Sequence, residues 1–286
     1  MKRYAVKLAI LENTPDACLH FIFSCSRCTP LQKPCPFLNF HCLAQDLQLD
    51  RLRLLLEDVY NIWQLWNDLE DVGHSGAARP RTYVIFARKD ARVLRQPTDL
   101  YKQVTDHLKG LLSTEPKDYL TASPLEVDLE AAEVCRIRKV AHRPGRADLS
   151  YILTDREKRA ISILSQEYVR RFKELPESNS NLCFFLGDDP QWSYTWSAIS
   201  NKIPTLRRNA ASSKMWFPSV RRWLTQAETL GAMSIPVRWA VANEMGLQPV
   251  PVKDPKRAAS LVGNAMAFSC VGVIQMISLS CFSFPE

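Results

Sequence analysis

Glycine is scarce in this chain, 9 of 286 residues, roughly half the usual share. A loop that lets backbone close around a phosphate needs several glycines at fixed spacing. Neither G-x-G-x-x-G nor a P-loop occurs. Dinucleotide-binding loops and P-loop folds are thereby set aside. The remaining composition, 46% apolar and 23% charged, is that of a chain able to bury a core. The length suggests one large domain or two modest ones. A formal net charge of +7 favours acidic partners without naming one.

The run Tyr4–Leu11, broken by Lys7, is too short for a signal peptide and reads as a buried strand. With that reading, nine cysteines predict reduced thiols in a cytosolic or nuclear setting. Cys18, Cys25, Cys28, Cys35 and Cys42 crowd a proline-rich stretch that patterns as neither helix nor strand and is expected to be an insertion. Cys25-x-x-Cys28 lacks a second pair, so no metal site is assigned. From Ala258 to Pro285 no residue is charged. Asn264, Gln275 and several serines weigh against a bilayer span, and a buried helix flanked by Gly263 is the expectation.

Leu49–Tyr60 is helical in character. Thr82–Phe86, rich in β-branched and aromatic residues and introduced by Pro80, predicts a strand. A helix is expected from Pro97 with Thr98 as N-cap, and Leu100, Val104, Leu108 and Leu111 on one face. Thr154 and Glu157 form a capping-box signature before Ile161, Leu164, Tyr168 and Phe172, and Pro176 should stop that helix. A further helix should run from Thr225 to about Ser234. Strands near the start with helices in the middle predict α/β architecture with a helical insertion.

Between Gln191 and Ala227 there is no acidic residue, while Lys202, Arg207, Arg208, Lys214, Arg221 and Arg222 are cationic. Trp192, Trp196, Trp216 and Trp223 lie in the same window. Cations for phosphates, interleaved with flat faces that stack on bases, suit a nucleic-acid surface. The competing reading makes the tryptophans core anchors and the charges a solvated face. Arg207, Arg208, Lys214 and Arg221 are the candidate nucleic-acid contacts.

Three short segments follow one another in a telling order: Gly73-His74-Ser75-Gly76-Ala77-Ala78-Arg79-Pro80-Arg81 before the strand, Arg222-Trp223-Leu224-Thr225-Gln226-Ala227-Glu228 with Pro236 beyond, and Gly263-Asn264-Ala265. Together they resemble the later motifs of the cytosine-5 DNA methyltransferases: R-x-R ahead of a strand, R-x-L-T-x-x-E with a following G-x-P, and G-N-(A/S). A divergent eukaryotic branch with G-H-S-G before the paired arginines is the nearest likeness. Ile10-Leu11-Glu12-Asn13 also resembles the strand ending in E-N-V, whose glutamate contacts cytosine N3.

The resemblance implies a set of expectations. The fold would be α/β, a partial Rossmann-like S-adenosylmethionine-dependent methyltransferase sheet made of the later strands, with an inserted target-recognition region. Residues 1–87 would be partial catalytic core with the Cys/Pro-rich insertion near 16–48, 88–220 the recognition region, and 221–286 the return to the core. Glu12, Arg79 and Arg81 would be the catalytic set, Arg81 facing the base and Arg79 serving phosphate or local structure. Gly263, Asn264 and Ala265 would touch S-adenosylmethionine. Arg222, Thr225 and Glu228 would be structural, Thr225 capping a helix with Glu228.

The partner would be DNA, the compartment the nucleus, and the chain would be no membrane protein. The family's F-x-G-x-G cofactor loop and a clear P-C-Q thiol motif are absent. Cys35, in Lys33-Pro34-Cys35-Pro36, is the one partial match, and it follows Glu12 out of family order unless Glu57 supplies the carboxylate. A second chain or a further N-terminal half is therefore expected to complete the fold. The family's G-x-P reads Ser234-Ile235-Pro236, a serine tolerable if its φ is negative.

Overall fold

The computed structural model describes residues 6–13, 49–207, 214–252 and 255–285. The cysteine-rich stretch, Cys35 with it, and Arg208 lie outside the described residues. The chain is mixed α/β with small antiparallel sheets and gathers into two compact units. One comprises residues up to Asn67, Pro80–Val104 and Gly272 onward. The other comprises Asp68–Arg79 and Thr105–Val271.

The first unit is built on β1 (Leu8–Asn13), β2 (Tyr60–Asn67) and β3 (Arg81–Arg88) in the order β1-β3-β2. Both outer strands run antiparallel to β3 and therefore parallel to each other. Burial of β3 from Arg81 through Ala87 explains its unbroken β-branched and aromatic run, since both faces are covered. One face packs Tyr60, Val84 and Phe86 with Leu49, Leu52 and Leu56 of α1 (49–56).

Two expectations are corrected in this unit. β1 is no buried strand: Leu8, Ala9 and Ile10 are half-buried and Leu11 is exposed. It is an edge whose one partner among the described residues is β3. The helix at Leu49 ends by residue 56, and Tyr60 already opens β2. Glu57 and Asp58 thus precede a strand rather than end one, which removes Glu57 as the family's strand-terminal carboxylate.

A short ribbon of β4 (Arg92–Val93) and β8 (Phe282–Ser283) closes the unit, with Trp63 packed on Phe282 at 5.0 Å between ring centroids. α2 (Pro97–Leu111) starts at Pro97 itself, so Thr98 lies inside the helix rather than capping it. Proline at the first helical position gives up only an N–H that has no helical partner there.

The second unit packs α3 (Pro124–Arg138) and α4 (Asp155–Phe172) against β5 (Phe184–Phe185), β6 (Met215–Phe217) and β7 (Arg222–Trp223), ordered β5-β6-β7. Its core joins Val134, Leu149, Leu164, Tyr168, Leu182, Phe184, Trp196, Trp216 and Trp223. α4 begins with the expected box: Thr154 accepts from Glu157 N while Glu157 accepts from Thr154 N at 2.8 Å. α5 (Gln226–Gly231), α6 (Trp239–Glu244), α7 (Pro255–Asn264) and α8 (Phe268–Ser280) follow. The uncharged tail is thus two helices parted at Ala265–Ala267, not one. Among the described residues no helix is long and apolar enough to cross a membrane.

Candidate functional site

Arg81 opens β3 directly opposite Asn67, the last residue of β2. Glu12, near the end of β1, faces Tyr83 across the other side of β3. Cross-strand neighbours share a face, and diagonal neighbours remain within reach of long side chains. Glu12 therefore reaches Arg81: its Oε1 lies 2.9 Å from Arg81 Nε, with the guanidinium nearly buried and the carboxylate about a fifth exposed. Arg81 Nη1 also donates to Pro80 O at 2.6 Å.

Asn67 is buried and donates from Nδ2 to the Tyr101 hydroxyl at 2.9 Å, leaving Oδ1 without a hydrogen bond among the described residues. One sheet end thus collects a carboxylate, a guanidinium and an amide. A planar heterocycle with adjacent donor and acceptor atoms could be read by that set. Asn67 and Tyr101 carry no motif that sequence could flag. The β-branched and aromatic residues of Tyr60-Asn61-Ile62-Trp63 are the available signal, hidden by their proximity to a helix.

Arg79 has a different task. It belongs to the second unit and is buried, donating Nη1 to Leu206 O at 3.2 Å and Nη2 to Ala265 O. Its own N–H donates to Asp68 Oδ1 at 2.6 Å, and the same oxygen accepts from Leu69 N. A buried guanidinium spent on main-chain carbonyls meets no phosphate, so the choice left open for Arg79 falls to local structure. It fastens the segment carrying Ala265 to the loop that leads into β3.

The rest of that loop is scaffold as well. Gly73 caps a 3-10 turn, Leu69–Val72, at φ 90°, which favours glycine. Gly76 sits where a Cβ would lie 2.4 Å from the Glu115 carbonyl carbon. Ser75 accepts from Thr114 N and donates to Thr114 O, both at 2.8 Å. Burial lowers the His74 pKa, and the imidazole stacks on Tyr119.

The second motif is structural in the way its residue types suggest. Thr225 caps α5 with Glu228, and Arg222 grips Glu228 through two 2.8 Å bonds. Glu228 also accepts from Ala122 N at 2.7 Å. Ser234 adopts φ 59°, so the negative angle that would make serine tolerable there is not met. The position where the family carries glycine is thus left-handed here, and serine bears the steric penalty.

The acid-free window is neutralised from outside itself. Lys202 pairs with Asp68 and Glu70, Arg207 with Asp188, Arg221 with Asp148 and Arg222 with Glu228. Lys214 is no surface contact: it is 5% exposed, lies 4.6 Å over the Trp223 ring and sits 3.9 Å from Glu130. Burial holds its ammonium below the usual lysine range against the pull of Glu130. Trp196, Trp216 and Trp223 are core, while Trp192 is exposed. Charge counting along the sequence overlooks these partners because they come from distant elements.

Gly263 and Asn264 end α7, and Ala265 follows it; the Asn264 side chain lies outside the described residues. They do not open a helix as expected. A helix C-terminus carries partial negative charge, unfavourable for a ligand carboxylate, and the Ala265 carbonyl is held by Arg79. These residues alone do not fit S-adenosylmethionine.

The described cysteines Cys135, Cys183, Cys270 and Cys281 are all buried. Burial raises the thiol pKa of Cys183, Cys270 and Cys281, with Cys270 pushed up to about 12. None of those three is an activated nucleophile. Among the described residues no group of three metal-ligating side chains assembles. Compared with known proteins, the chain matches no protein-family model and none of the curated proteins.

Proposed function

We propose that this chain is a cytosine-5 DNA methyltransferase-like protein that supplies the base-reading half of such a site. The partial Rossmann-like sheet is part of the same proposal: its described strands form an antiparallel sheet, β1 and β2 running the same way on either side of a reversed β3. The carrying observation is the meeting of Glu12 and Arg81, far apart along the chain yet 2.9 Å apart in space.

An extruded cytosine entering at this sheet end would share a proton between the Glu12 carboxyl and ring N3, and take a hydrogen bond from Arg81 at O2. Draining negative charge from the ring in this way is what addition of a thiolate to C6 requires. Arg79, Arg222, Thr225 and Glu228 support the reading as structural fasteners, and left-handed Ser234 supports it as the family's glycine position.

S-adenosylmethionine is the methyl donor this reading implies. The cofactor loop and the thiol would come from a second chain or a further N-terminal segment, so this chain alone is expected to show little turnover. DNA is the proposed partner and the nucleus the proposed compartment.

The test is binding of a duplex holding cytosine opposite an abasic site, against the same duplex with cytosine paired to guanine. The wild-type chain should prefer the unpaired cytosine, and Arg81→Ala should reduce that preference about tenfold, the effect of removing one hydrogen-bonding partner from a base edge. A preference untouched by Arg81→Ala would refute the assignment.

A further inference from the structure

The connection after α3 holds an unbalanced group of cations outside the acid-free window. Near it, Glu133 pairs with Arg136, Glu157 with Arg138, Asp128 with His142 and Asp148 with Arg221. Every one of those acids is thereby engaged. Lys139, Arg143 and Arg146 remain, all exposed and with no ion pair among the described residues. Asp148 feels Arg146 only at longer range.

These arginines are held rather than waving. The Arg143 guanidinium carbon lies 4.8 Å, and that of Arg146 5.7 Å, from the centroid of the Tyr151 ring. The Tyr151 hydroxyl accepts from Arg143 N at 3.2 Å, and Asp128 accepts from Gly145 N at 3.0 Å. Gly145 makes this possible at φ 70°. A guanidinium held over a ring still presents N–H donors, which suit bidentate phosphate binding. Fixing the loop beforehand lowers the ordering cost on binding.

We infer that Lys139, Arg143 and Arg146 form a phosphate-binding loop that grips the sugar-phosphate backbone of duplex nucleic acid. The choice of nucleic acid over another polyanion rests on the proposed function above. The geometry of the loop does not.

The test is binding of the full chain to a fully paired duplex, followed across salt concentration by fluorescence anisotropy. Arg143→Gln combined with Arg146→Gln should lower the slope of log K against log salt by about 2, near 0.9 for each phosphate no longer neutralised. Between about 50 and 200 mM salt the wild-type affinity should then fall about tenfold further than the variant's. Arg136→Gln, whose charge Glu133 balances, should leave the slope unchanged.

An unchanged slope in the double variant, or equal drops in both variants, overturns the inference. So does displacement of the duplex by polyglutamate at equal charge concentration, which would mark an acidic polypeptide as the occupant. A fully paired duplex presents no unpaired cytosine, so the base site does not enter this readout. Failure of the loop and failure of the base site are thus read separately.

Discussion

Replacing Glu228 by alanine is expected to remove about 3–5 kcal/mol of stability, the range for stripping one partner from a buried ion pair. Its carboxylate is fully buried and accepts from Arg222 Nη1 and Nη2, Thr225 N and Oγ1, and Ala122 N. Removing it strands the Arg222 guanidinium in the interior, uncaps α5 and frees the chain just ahead of α3. These losses fall on one unit, so denaturant unfolding followed by tryptophan fluorescence should report them, since Trp196, Trp216 and Trp223 share that core. Glu228→Gln should be milder, because it can still accept from backbone. A loss below about 1 kcal/mol for Glu228→Ala would mean the pair is solvated.

Arg79→Ala should also destabilise strongly, by about 3 kcal/mol, because one buried and one part-buried carbonyl lose a charged donor. Leu206 O and Ala265 O have no equivalent replacement in a methyl group. Arg81→Ala, two residues away, should cost less than half as much, since its partner Glu12 is partly exposed and can rehydrate. Thermal unfolding of the two variants side by side separates the arginine that holds main-chain carbonyls from the one paired with Glu12. Equal and small shifts would contradict the division of labour within Arg79-Pro80-Arg81.

The contrast between these neighbours marks how far sequence can be read. Capping boxes at Thr154/Glu157 and Thr225/Glu228 are legible because the partners sit three residues apart and the chemistry is local. The strand at Thr82–Phe86 is legible from side-chain type. β2 is not, because Tyr60–Asn67 follows closely on a helix and its apolar residues come in pairs rather than alternating.

The acid-free window misleads for a physical reason. Charge balance is settled in space, and Asp148, Asp188, Asp68 and Glu130 reach in from other elements. Lys214 shows the same limit, for no local pattern distinguishes a lysine over a buried indole from one in water. The site itself is half legible: Glu12 and Arg81 are named by resemblance, while Asn67 and Tyr101 emerge only once β2 is laid beside β3.

Base identity at the extruded position tests the central claim most directly. Cytosine offers an acceptor at N3 beside a donor at N4, and a protonated Glu12 carboxyl serves both, its O–H donating to N3 and its other oxygen accepting from N4. Uracil turns an N3–H donor against that O–H and an O4 acceptor against the accepting oxygen. Wild-type protein should therefore bind a duplex with cytosine opposite an abasic site about 10–100-fold more tightly than one with uracil there, the span of a good base-edge contact. Glu12→Ala should bind both alike. Equal affinity of the wild-type chain for cytosine and uracil would contradict the account.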